Sequence, residues 1–346
     1  MAAIISQQDT ASFDELTSRL PIVLTKLRPP RATMALLERE RLLKNLYQID
    51  HCKLAVVEAA AGFGKTTLLS QWIKEQHKLN RLAGWISLDE SDNTPVRFWE
   101  YFFNALADIG VKWNPEIRDR PSGDHTLSGS ELIPALINDL LLFPSQVYLV
   151  LDDFHHIENT TIISQINALL NHAPPNFHLL IGCRGTPPLS LAGLQAQGQL
   201  VEIDDDALRF NSDEALHYIN ELDVFDLNES DLLKLMDLTE GWATGIHLAI
   251  ISPGMKDNPT ATIESFQTGL KYVTRYLKEI VFEQISPELL EFLVQTSILD
   301  RLSIPLCEAV TGMENCADLL DEVIEKRLFV EALGDDGEWY RYHQLF

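Results

Sequence analysis

The chain has 346 residues, room for two or three domains, and its 46% hydrophobic and 23% charged residues are an ordinary globular composition. A net charge of −24, from 27 basic and 51 acidic side chains, argues against a nucleic-acid-reading surface within this segment. Cys52, Cys183, Cys307 and Cys316 lack metal-ligand spacing, no signal-peptide pattern opens the chain, and no apolar run reaches the roughly 18 residues of a membrane span; the sequence predicts a cytoplasmic protein with no membrane contact.

In chain order, residues 1–28 read as a polar N-terminal arm, and Pro29-Pro30 as a linker before a helix over roughly Met34–Tyr47. Leu54–Glu58 is a short apolar strand, followed by a Gly-rich turn and a helix with Leu68, Leu69, Trp72 and Ile73 on one face. Gly84–Leu88 reads as the next strand. In the helix Pro95–Ile109, residues Trp99, Phe102, Phe103 and Leu106 form the apolar stripe. A polar loop from Asn114 to Gly129 leads to a helix ending near Leu142; strands Val147–Leu151 and Phe177–Cys183 flank a further helix. Strands alternating with helices imply a mostly parallel sheet covered on both faces, with ligands at the carboxyl ends of the strands.

Past Arg209 the pattern becomes helical, with helices expected at 213–222, 228–240, 242–251 and 264–284, and another opening at Pro287. Acidic residues crowd the start of this region, from Glu202 to Glu240, which reads as a solvated helical surface. A helix near Ala317–Lys326 precedes Leu328–Leu333, a turn at Gly334-Asp335-Asp336-Gly337, and Trp339–His343; two strands around a turn after helices predict a winged helix. The fold class is therefore α/β: a parallel sheet flanked by helices (29–210), which the phosphate-loop pattern at Ala59–Thr66 makes that of a P-loop NTPase, an all-α lid (211–270) and a small winged-helix domain (271–346).

Chemistry concentrates at two strand ends. Ala59-Ala60-Ala61-Gly62-Phe63-Gly64-Lys65-Thr66 follows the first strand and matches the phosphate-loop pattern except for Ala59 at the first glycine. Gly62 and Gly64 let the backbone curl so that N–H groups point at phosphate oxygens, and the helix starting near Lys65 adds its positive end. The expected ligands are ATP or ADP with Mg²⁺, cradled by Ala61, Gly62, Phe63, Gly64, Lys65, Thr66 and Thr67. Lys65 reaches the phosphates and Thr66 gives a hydroxyl to the metal. Asp152 and Asp153 follow a buried strand; Asp152 is expected to hold Mg²⁺ and Asp153 to orient or deprotonate the attacking water. Arg184 ends the strand expected beside them and is placed to read the γ-phosphate. His155 and His156 read as structural, and Asp92 as a cap near Asn93-Thr94-Pro95.

Several segments together resemble one family: Leu27-Arg28-Pro29-Pro30, Ala60–Leu68, Trp85-Ile86-Ser87-Leu88-Asp89, Leu151-Asp152-Asp153-Phe154-His155 and Trp339-Tyr340-Arg341-Tyr342-His343. They are similar to the N-terminal half of the MalT-type, LuxR-family transcriptional activators, signal-transduction ATPases of the STAND class. The resemblance implies an ADP-bound resting monomer, an oligomer opened by ATP and a small-molecule or protein inducer, and slow hydrolysis as the reset. It also assigns His343 to the β-phosphate of ADP and Arg39 to the neighbourhood of the adenine. The family's Gly-x-Pro lid motif reads here Gly241-Trp242-Ala243, without the proline. The chain stops inside the expected winged helix, which reads as a truncated fragment whose inducer sensor and DNA-binding helix-turn-helix lie elsewhere. Two other readings stay open: a nucleotide-locked scaffold without hydrolysis, and an ATPase of the origin-recognition or helicase-loader type.

Overall fold

Side-chain alternation along five short strands sets the architecture. A computed structural model of the chain describes residues 22–31, 37–112, 129–222, 227–266, 271–334 and 337–346. Most of the expected N-terminal arm, most of the 114–129 loop and Asp335-Asp336 of the last turn lie outside the described residues. The strands β1 (Leu54–Glu58), β2 (Leu82–Ser87), β3 (Val147–Asp152), β4 (Phe177–Cys183) and β5 (Leu200–Ile203) form one sheet in the order β2-β3-β4-β1-β5. All neighbours are parallel.

Leu54 and Val56 of β1, Leu149 of β3 and Leu179 of β4 point to one face, covered by the helices Pro95–Asp108, Gly129–Leu142 and Thr160–His172. Ala55, Val57, Val150 and Leu180 point to the other, under the helix Lys65–Lys78. Every one of these side chains is fully buried, a gain of about 1.5–3 kcal/mol for each large aliphatic residue. Because both faces are dry, the strands read as continuous apolar runs.

Helices Ser212–Glu221, Glu229–Thr239, Ala243–Ile250 and Pro259–Phe266 follow, capped by Asn211 and Asn228 at the first two N-termini. The helices Pro287–Thr296, Ile304–Thr311 and Cys316–Glu325 then pack beneath an antiparallel hairpin of β6 (Val330–Ala332) and β7 (Tyr340–Tyr342), to which Leu302 adds a bridge opposite Tyr340. This is the winged-helix arrangement expected from the hairpin at the end of the sequence.

Three expectations need correction. The first helix begins at Glu40, not Met34: residues 37–39 are non-helical, with the Leu37 carbonyl accepting from Gln71 and the Arg39 side chain turned inward. The stretch expected as one helix over 264–284 contains the separate helix Lys271–Ile280 and a 3-10 turn at Phe282–Gln284. The edge strand β5 was not anticipated; it has four residues, one of them the exposed Glu202.

Candidate nucleotide-binding site

The carboxyl ends of β1, β3 and β4 meet at one edge of the sheet, with Glu58 registered against Cys183 and Ser87 against Asp152. Between β1 and its helix the chain curls through Gly62 (φ 81°) and Gly64 (φ 91°), left-handed conformations that favour glycine. Gly64 caps the helix, so Lys65 is its first residue. The buried Lys65 ammonium donates to the carbonyl oxygens of Ala59 (2.7 Å) and Ala60 (3.0 Å). Burial, together with the charge of Arg184, lowers its pKa to about 8.

Asp152 is 1% exposed, and its carboxylate fits because Gly182 on the neighbouring strand has no Cβ: one there would lie 2.7 Å from Asp152 Oδ1. Burial first, and Asp153 second, push the Asp152 carboxyl up to about 7, against a hydrogen bond from the Thr66 side chain and the charge of Lys65. Asp152 Oδ1 is itself buried without a hydrogen-bond partner. A hydroxyl on a carboxylate with an orphaned oxygen fits a divalent cation. Among the described residues no cluster of three or more His, Cys, Asp or Glu side chains forms an all-protein metal site, so a cation here would complete its shell with phosphate and water.

Asp153 adopts φ 57° and stays partly exposed, 3.9 Å from the Nδ1 of His155. Both ring nitrogens of His155 are buried without partners, and burial holds this imidazole far below its usual pKa. Arg184 leaves β4 and donates to Ile280 O (3.3 Å) and Gln284 Oε1 (2.5 Å), just ahead of the helix Pro287–Thr296.

A cavity of about 430 Å³ opens over these groups. Its phosphate-loop end is lined by Ala61, Gly62, Gly64, Lys65, Thr66 and Thr67, with Asp153 and Arg184 opposite. Arg39, Phe210, Tyr218 and His247, joined by successive side-chain contacts, form a second group in the lining, which also includes Leu37, Ala243, Thr244 and Tyr276. Arg39 is 5% exposed and donates to Leu208 O (2.6 Å), Arg209 O (2.8 Å) and Glu214, with its guanidinium 4.7 Å from the Phe210 ring centre. Thus it fixes the wall of the cavity with its own donors already engaged.

Phe63 turns its ring away, towards the guanidinium of Arg209 at 5.8 Å, leaving its backbone as the part that can face a phosphate. His343 lies outside the lining. Its Nε2 donates to Thr239 O (3.0 Å), its Nδ1 accepts from Leu345 N–H (3.1 Å), and its ring centre stands 6.0 Å from that of Trp242.

Two residues at the start of the helix Ala243–Ile250 that sequence reasoning did not assign meet the loop directly. Trp242 donates its indole N–H to Ala61 O (3.0 Å), and Thr244 donates both its hydroxyl (2.9 Å) and its backbone N–H (3.1 Å) to Gly62 O. The Gly241-Trp242-Ala243 segment marked the neighbourhood, but the partner atoms are backbone carbonyls of a distant loop and leave no pattern in the sequence. The winged helix is tied in as well: Arg327 pairs with Glu58 at the end of β1 and with Asp205.

Residues 277–346 match the MalT winged helix domain family. Over 328 residues, 94% of its length, the chain is 32% identical to the HTH-type transcriptional regulator MalT of Yersinia enterocolitica, and over 329 residues 32% identical to that of Serratia proteamaculans. It spans 36% of the length of each. Among solved structures, a Walker-type ATPase of Pyrococcus abyssi superposes with a TM-score of 0.58 at 14% identity, covering 93% of this chain and 98% of that one. That likeness shows the fold alone: a parallel sheet flanked by helices, with a helical region after it.

Proposed function

From the premise that the chain is similar to MalT-type regulators over 94% of its length, we propose that it is the nucleotide-gated switch of a transcriptional activator, binding ATP or ADP with Mg²⁺ and hydrolysing ATP slowly. The observation that supports this reading best is the convergence of both later regions on the phosphate end of the cavity. Trp242 and Thr244 hold the carbonyls of Ala61 and Gly62, and Arg184 is bonded to Ile280 and Gln284. A ligand that alters the loop or recruits Arg184 therefore acts on the contacts that fix the lid and the winged helix.

In this reading the chain divides into a nucleotide-binding domain to about residue 210, a lid to about 270 and the winged helix beyond. Lys65 leaves the carbonyls of Ala59 and Ala60 to meet the β- and γ-phosphates, and backbone N–H groups from Ala61 to Thr67 supply the cradle. Thr66 and Asp152 hold Mg²⁺, which supplies charge neutralisation at the phosphate oxygens. Asp153 accepts a hydrogen from the attacking water and Arg184 senses the γ-phosphate. Arg39 shapes the base end. His343, assigned by the resemblance to the β-phosphate of ADP, stands behind Trp242 here, so direct contact requires the indole to turn aside. Inducer sensing, self-association and DNA binding are proposed for the activator as a whole, the last through a region beyond the segment shared with its relatives.

The test is single-turnover phosphate release by wild type and Asp153→Asn. Retained ATP binding with release slowed at least about tenfold is expected, since positioned proton transfer contributes roughly 10²–10⁴ in rate. Equal release by both proteins would replace the hydrolytic switch with a nucleotide-locked scaffold.

A further inference from the structure

The base end of the cavity contains a polar pair that the phosphate chemistry does not use. Tyr218 lies on the helix Ser212–Glu221 and His247 on the helix Ala243–Ile250, and the phenol oxygen stands 2.8 Å from the imidazole Nδ1. Both side chains line the cavity. Around them the surfaces are apolar: Leu37, Phe210 and the methyl of Ala243, which is one helical turn from His247 and on the same side of its helix. The Phe210 ring meets Tyr218 edge-on at 5.7 Å and fixes its orientation.

The hydrogen in this pair has a preferred owner. Burial lowers the pKa of His247 and raises that of Tyr218, so both are neutral at pH 7. A phenol is the better donor and an imidazole nitrogen the better acceptor, so Tyr218 donates to Nδ1. That leaves the ring hydrogen on Nε2, which has no hydrogen-bond partner among the described residues. The site thus offers a donor of fixed polarity beside Leu37, Phe210 and Ala243, while Arg39 in the same lining already donates to Leu208 O, Arg209 O and Glu214.

We infer that Tyr218 and His247 read the nucleobase, the His247 Nε2–H selecting adenine through its N1 acceptor. Adenine offers an acceptor at N1 where guanine carries a hydrogen, and a buried donor facing a donor leaves both unsatisfied. The inference rests on the proposed nucleotide site and adds its specificity.

The experiment is displacement of fluorescent mant-ADP by unlabelled ADP or GDP, for wild type, His247→Phe, His247→Gln and Tyr218→Phe. Wild type should prefer ADP at least tenfold. His247→Phe should bring the two within about threefold while GDP binding persists, which shows an intact phosphate end. His247→Gln, which keeps a donor near Nε2, should retain most of the preference, and Tyr218→Phe, which frees the tautomer, should lose part of it. Equal displacement in wild type, an undiminished preference in His247→Phe, or loss of both nucleotides in every variant would each overturn the assignment. Failure of wild type to bind mant-ADP at all would instead sink the nucleotide-site reading, and this inference with it.

Discussion

The indole N–H of Trp242 donates to the carbonyl oxygen of Ala61 across 181 residues of sequence, at 3.0 Å. The ring is fully buried, edge-on to Tyr276, Phe329 and His343, so one side chain touches the phosphate loop, the lid and the winged helix together. Trp242→Phe keeps the apolar packing and removes the hydrogen bond, worth about 1 kcal/mol. ADP dissociation should speed up roughly fivefold, as read by stopped-flow fluorescence; an unchanged rate would mean that this contact does not hold the loop.

Gly185 tests how the winged helix is seated. It adopts φ 75°, and a Cβ there would collide with the backbone carbonyl of Glu325. Gly185→Ala should cost about 2–3 kcal/mol of stability and expose the connection near Phe282–Gln284 to trypsin or chymotrypsin. Gly198→Ala is the control, with φ 65° but open space around it, and only the roughly 1–2 kcal/mol backbone cost is expected.

Arg184 and Gln284 separate ligand sensing from closure. Gln284→Ala removes a hydrogen bond that holds Arg184 towards the winged helix and frees its guanidinium for a γ-phosphate. A charge-assisted bond contributes about 1.5–3 kcal/mol, so Gln284→Ala should raise the ATP-to-ADP affinity ratio by roughly tenfold to 150-fold. Arg184→Ala should lower it. Shifts in the same direction for both variants, measured by calorimetry, would contradict the assignment.

Part of the pH dependence of stability follows from His343. Burial lowers its pKa to about 4, against the pull of Glu240, and Leu345 N–H already occupies Nδ1. The native state therefore refuses a proton that the unfolded chain accepts near pH 6.5. Below that pH the unfolded state binds more protons, so stability declines from about pH 6.5 towards 4 and the contribution is fully present above 6.5. His343→Gln should remove its share of this limb in thermal melts taken across the range, leaving the shares of His155 and His247, whose pKa burial also lowers. A parallel decline in both proteins would move the cause to other buried histidines.

Much of this was legible in the sequence because it rests on local patterns. The strand–Gly-rich turn–helix at Leu54–Lys78, the aspartates after Val147–Leu151 and the terminal hairpin each carry their own period and punctuation. The start of the first helix was misread because Leu37 and Arg39 spend their polar groups on tertiary partners. The strand β5 was missed because four edge residues, one of them an exposed glutamate, carry too little alternation to register. Likewise Trp242, Thr244 and the Tyr218–His247 pair depend on where the lid helices come to rest.

The nucleotide site is tested most directly by denaturing freshly purified protein, beside Lys65→Ala, and identifying any released nucleotide by ion-exchange chromatography. Close to one ADP per wild-type chain is expected and none from the variant, whose loop has lost its ammonium. A wild-type protein that releases no nucleotide and fails to bind added ATP with Mg²⁺ would contradict the nucleotide-site reading.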